Sequence, residues 1–169
     1  MGEIRFSYTG TYKLLARGTN INDQTLLATD YLNHFNEVIM MLDLVADMPD
    51  CLEEAKMWEP RCYKDHFRDS VFSDKELAIF AYDHAPDEYR SAFDQVTTEI
   101  DDMVQKGIME IETVARANEP EALREIVATT TREIQRRMDK ASAIINGDFG
   151  VEEVEVATMD QSDIDAMFD

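Results

Sequence analysis

The chain has 169 residues, enough for one domain with a real core and short for two. Its 36 acidic and 16 basic residues give a formal net charge of −20. That balance argues against nucleic acid, which is held by Lys and Arg clusters, and against an anionic membrane surface; a basic protein, a metal ion or a partner with a positive groove stays open.

Residues 1–20 carry Arg5, Lys13 and Arg17 among Ser, Thr and Tyr, with no continuous apolar run. They are expected to form a flexible arm and not a secretory signal. Asn22 or Asp23 is a helix-capping residue type. Behind them Leu27, Tyr31, His34, Val38, Met41 and Val45 recur at helical spacing beside a second stripe through Leu32, Phe35, Ile39 and Leu42. This predicts a helix from about Asn22 that Pro49 closes. A short helix through Leu52, Ala55 and Met57 precedes Pro60, and the aromatic segment from Arg61 to Phe72 reads as irregular helix and loop.

Ser73-Asp74-Lys75-Glu76 has the pattern of a capping box, opening a helix through Leu77, Phe80 and Tyr82. Pro86 suits the first turn of the next helix, which runs through Phe93, Val96, Ile100, Met103, Ile111 and Val114. Asn118-Glu119-Pro120 makes a turn, and Leu123, Ile126, Thr130, Ile134, Met138, Ala141 and Ile145 form the stripe of a last long helix that Gly147 ends. Two such stripes joined by a short turn pack antiparallel. The expected fold is all-α: an antiparallel bundle of about four helices over 21–147, an acidic linker over 148–158 and a short C-terminal helix over 159–169.

His34 has Asp30 one turn before it and Glu37 three residues after it, half of a bundle-core metal site. A di-metal centre needs a second such set on a facing helix, and the chain holds no Glu-x-x-His pair, so His34 reads as a core or groove-edge histidine. A metal- or small-ligand-binding bundle centred on His34, Glu37 and the aromatic segment around Tyr63 to Phe72 is the alternative reading. Cys51 and Cys62, the only cysteines, lack metal-ligand company and read as buried reduced thiols, which suits a cytoplasmic location. Met40, Met41, Met57, Met103, Met109 and Met138 sit within or beside helical stripes and read as core filler. No nucleophile triad, phosphate-binding glycine loop or Cys-x-x-Cys occurs, and no cofactor is expected.

After Lys140 no basic residue remains. The last residues, Met159-Asp160-Gln161-Ser162-Asp163-Ile164-Asp165-Ala166-Met167-Phe168, place Ile164, Met167 and Phe168 on one helical side with carboxylates around it. This segment resembles the CheY-binding peptide of the flagellar motor switch protein, Ser-Gln-x-Glu-Ile-Asp-Ala-Leu-Leu. Gln161, Ile164, Asp165 and Ala166 match it, while Asp163, Met167 and Phe168 replace like by like. The chemotaxis phosphatase CheZ carries a related docking helix behind a linker and a helical bundle, the same order of parts as here. The resemblance covers about ten residues. It implies a CheY-like response regulator as partner, docked in a groove; homodimerisation is open.

The phosphatase motif of that family, Asp-x-x-Thr-Gly-Gln, is met here only by Asp101 and Gln105, four apart on one helical face and without Thr-Gly. Docking is therefore the main expectation, and catalysis by Asp101 and Gln105 a further one.

Overall fold

The computed structural model describes residues 8–148. They form seven α-helices in chain order: α1 (Thr9–Ala16), α2 (Asn33–Val45), α3 (Leu52–Ala55), α4 (Tyr63–Arg68), α5 (Lys75–Tyr82), α6 (Asp87–Arg116) and α7 (Pro120–Ile145). No strand occurs among the described residues, only one isolated antiparallel bridge between Ile21 and Ala28, so the all-α expectation holds. None of these helices is long and apolar enough to cross a membrane. The expected linker beyond Asp148 and the terminal helix over 159–169 lie outside the described residues.

The frame is a hairpin of α6 and α7. Asn118 at φ 54° and Pro120 in the first turn of α7 reverse the chain. The two helices pair at equal distances from that turn: Arg137 meets Glu99 at 3.0 Å, and Gly107 faces Thr130. A Cβ on Gly107 would come within 2.5 Å of the Thr130 methyl, so the glycine sets how closely the helices approach. Val104, Ile108 and Ile111 are buried on α6, as are Val127, Ile134 and Met138 on α7. Helix α2 packs on α7 and buries Phe35, Val38, Leu42 and Val45. Shorter helices surround these three, where about four comparable helices were expected.

Three local expectations meet a different backbone. The stripe from Leu27 is buried, but its helix starts at Asn33. Asn22 caps a tight loop instead of a helix: its Oδ1 accepts from the amides of Gln24 (2.9 Å) and Thr25 (3.0 Å). Leu26 then takes φ 61°, which no α-helix accommodates. The Ser73–Glu76 capping box does not form, because α5 is capped one residue later, at Asp74, which puts Glu76 at the second helical position, and Asp74 makes no side-chain capping bond. In the expected arm, Thr9–Ala16 is helical and packs on α5: Tyr12 stacks on His84 at 4.7 Å and the Thr9 hydroxyl donates to the His84 carbonyl.

The far end of α7 follows the sequence closely. Gly147 at φ 85° donates to the Ile144 carbonyl (3.0 Å) and Asp148 to that of Ala143 (2.9 Å), a double hydrogen bond that needs a left-handed residue. The Thr25 hydroxyl donates to the Ile145 carbonyl at 2.6 Å, locking the 21–28 loop onto this end. Met40, Met57 and Met109 are exposed, and of the six methionines expected as core filler only Met138 is fully buried. Cys51 is half-buried and Cys62 exposed, both as free thiols, so the expected burial fails for Cys62.

Candidate functional site

A cleft of about 740 Å³ lies between the N-terminal end of α2 and the connections on either side of α4. A 3-10 turn over Thr29–Leu32 leads directly into α2 and carries Asp30 to the cleft wall, with His34 and Glu37 one turn and two turns further on. Trp58 and Glu59 arrive from the segment after α3, His66 from α4, and Phe72 from the loop before α5. The structure thus brings Asp30, His34 and Glu37 together as their spacing predicted, and adds part of the aromatic segment.

His34 is only 8% exposed. Its ring stacks on Trp58 with centroids 4.6 Å apart, and the Trp58 indole N–H donates to the His34 carbonyl at 3.0 Å. Burial, with His66 and Arg61 nearby, pushes the His34 imidazole down from 6.5 to about 4, so it is neutral at physiological pH. Burial also holds His66 below its ordinary range, partly countered by the Asp30 backbone carbonyl and by the charges of Glu37 and Asp30. His34 Nε2 and Asp30 Oδ2 are buried without a hydrogen-bond partner. Two unsatisfied acceptors in one wall are costly unless something meets them. The metal half of the alternative lacks a ligand set, since no group of three or more His, Cys, Asp or Glu among the described residues is arranged to hold an ion.

Asp101 lines a second cleft of about 420 Å³ with Tyr31, Tyr82, Asp94 and Thr97. Burial, and then the charge of Asp102, pushes its carboxyl up from 3.8 to about 6, and its Oδ1 is buried without a partner. Gln105 is exposed one turn along α6 and does not line this cleft. Tyr31 joins the two clefts: it lines the second, its hydroxyl donates to the Arg61 carbonyl at 2.6 Å, and its ring touches His34 and His66.

The chain matches no protein-family model, no curated protein and no solved structure.

Of the residues expected to bind a partner, Gln161, Asp163, Ile164, Asp165, Ala166, Met167 and Phe168 all lie outside the described residues. Sequence reasoning missed Trp58 and Glu59 as site residues. A signal was present, because Trp58 is the only tryptophan in the chain and stands just before Pro60.

Proposed function

We propose that this chain is a cytoplasmic docking protein of chemotaxis or a related two-component pathway. In this reading the helical body is an antiparallel bundle that acts as carrier, and residues 159–169 bind a CheY-like response regulator. The observation that carries it is the peptide itself, with Gln161, Ile164, Asp165 and Ala166 matching the docking pattern and like replacing like at Asp163, Met167 and Phe168. The closed end of α7 at Gly147 supports it, since Ile144 and Ile145 are already buried by described residues. The charge of −20 supports it as well, suiting a partner groove with Lys and Arg on its rim.

The test is titration of a labelled peptide of residues 156–169 with candidate regulators, with and without a phosphoryl mimic. Saturable binding that favours the phosphorylated form is expected. Half of the roughly 1.5–3 kcal/mol available from burying an isoleucine makes Ile164→Ala about tenfold weaker. Asp163→Asn and Asp165→Asn cost less, as exposed ion pairs contribute about 0–1 kcal/mol. A flat titration at high micromolar concentration sinks the reading. Removal of the regulator's phosphoryl group by Asp101 and Gln105 is a narrower version: a carboxyl that titrates near pH 6 favours it, and the exposed position of Gln105 outside the cleft does not.

The cleft around His34 favours a second reading, in which the body itself binds a ligand, because two buried acceptors there have no partner.

A further inference from the structure

We infer that the cleft walled by Asp30, His34, Glu37, Trp58 and Glu59 binds an organic cation through an ammonium or guanidinium group. This deepens the second reading by naming the ligand class, and it rests on the cleft being a site.

The hydrogen-bonding polarity of the wall calls for a donor. The His34 ring bonds the Glu59 backbone carbonyl, and a carbonyl only accepts, so that ring nitrogen holds the proton. Nε2 is the unpartnered nitrogen, which assigns the proton to Nδ1 and leaves a lone pair on Nε2. His34 is neutral at physiological pH and more than nine-tenths buried. Asp30 Oδ2, a carboxylate oxygen, is likewise an acceptor without a donor. Both vacancies in this wall ask for N–H or O–H groups.

The charge of the lining calls for a cation. Asp30, Glu37, Glu59 and Asp69 line the cleft, and Arg61 is the one Lys or Arg among them. Its guanidinium is engaged by Asp69 at 3.1 Å. Three carboxylates are left facing the space, so an anion would be repelled and a cationic donor gains more from them than a neutral one. Trp58, His66 and Phe72 present aromatic surface to the same volume, which favours an organic cation through its apolar stem and through cation–π attraction. A metal ion would need a coordinating set that these residues do not assemble. At about 740 Å³ the space suits a small molecule or one long basic side chain.

Trp58 is the only tryptophan, so its fluorescence reports on this cleft alone. The full chain is titrated with agmatine, a free dication with a guanidinium at one end and an ammonium at the other, and with N-acetyl-arginine amide, which carries the guanidinium alone on a peptide backbone. Butylurea and acetate serve as neutral and anionic controls. Saturable fluorescence changes with the cations, and none with the controls, are expected. Binding of agmatine alone identifies a free cation as ligand, and binding of both points to an arginine side chain on a partner. Asp30→Asn should weaken binding about tenfold through loss of a charged acceptor, and Glu37→Gln up to about fivefold, as for an exposed ion pair. Glu37 is exposed, so Glu37→Gln keeps the fold and remains decisive if Asp30→Asn does not fold. Saturation by butylurea or acetate in place of the cations overturns the ligand class but keeps the cleft as a site. Silence from every probe up to about 10 mM, weaker than any useful affinity, overturns both. Neither result touches the peptide titration, which tests the docking reading.

Discussion

Trp58 and His34 hold each other in two ways at once: their rings stack at 4.6 Å, and the indole N–H of one donates to the backbone carbonyl of the other at 3.0 Å. The bond fixes the chain after α3 to the first turn of α2, which positions the cleft. Trp58→Phe keeps an aromatic ring but removes the donor from a buried carbonyl. A loss of about 1 kcal/mol, the net worth of one hydrogen bond, is expected by urea unfolding followed by circular dichroism, because the His34 carbonyl is left with its helical bond within α2 alone. An unchanged midpoint would mean that the carbonyl finds water without cost.

The His34 imidazole titrates near 4 when folded and near 6.5 in an unfolded chain. Above pH 6.5 both states are neutral and the group leaves stability unaffected. As pH falls through the interval to 4 the unfolded chain takes up the proton first, so stability drops; below 4 both states are protonated and the loss levels off. The full loss is about 3 kcal/mol at 1.36 kcal/mol per pH unit. His34→Gln should flatten this part of the stability–pH curve, measured as urea midpoints across the same interval. Parallel curves for the two proteins would show that His34 takes up its proton at the same pH in the folded and unfolded chain.

Asp101 acts with the opposite sign. Its folded value of about 6 lies above the ordinary 3.8, so the charged form is disfavoured in the fold. That cost is fully present above pH 6, shrinks as pH falls toward 3.8 and is absent below it. Asp101→Asn is expected to stabilise the protein by about 1–2 kcal/mol near pH 7.5, with the gain gone near pH 3.5. A gain of equal size at both pH values would assign the effect to packing and not to charge.

Gly107 sits in the middle of α6, where alanine would ordinarily favour the helix by about 1 kcal/mol. Here the added Cβ would lie 2.5 Å from the Thr130 methyl of α7. Overpacking typically costs about 1–3 kcal/mol, so Gly107→Ala should destabilise on balance. Combining it with Thr130→Ala, which removes the obstructing methyl, should recover stability relative to Gly107→Ala alone. Both are read as thermal midpoints. A single variant that melts higher than the parent would show that the α6–α7 spacing is not set at this contact.

Removing residues 149–169 should leave the melting temperature within a few degrees, because the hydrogen bonds that end α7 are complete at Asp148 and the core beneath them is formed by described residues. Differential scanning calorimetry on the two lengths of chain checks this. A large drop would mean that the acidic terminus packs on the body, and the docking proposal would lose its separable peptide.

The all-α class, the α6–α7 hairpin and the glycine that ends α7 were legible in the sequence because they depend on local rules. A stripe at helical spacing has one face to bury, Asn118-Glu119-Pro120 reverses the chain, and a left-handed residue is needed where Gly147 stands. Asp30, His34 and Glu37 were legible as neighbours for the same reason, since positions three and four apart share a helix face. What the tertiary structure decided were relations between distant segments. The periodicity through Leu27 is real, yet the 21–28 loop closes on Ile145 through Thr25, a bond across 120 residues that local propensity does not contain. The methionines at 40, 57 and 109 share helical spacing with core residues, but none of the described helices covers them. The cleft belongs to this second kind. Trp58, Glu59 and His66 reach His34 only because α2 and α4 are brought together, and it is their packing that neutralises the imidazole and strips two acceptors of their partners.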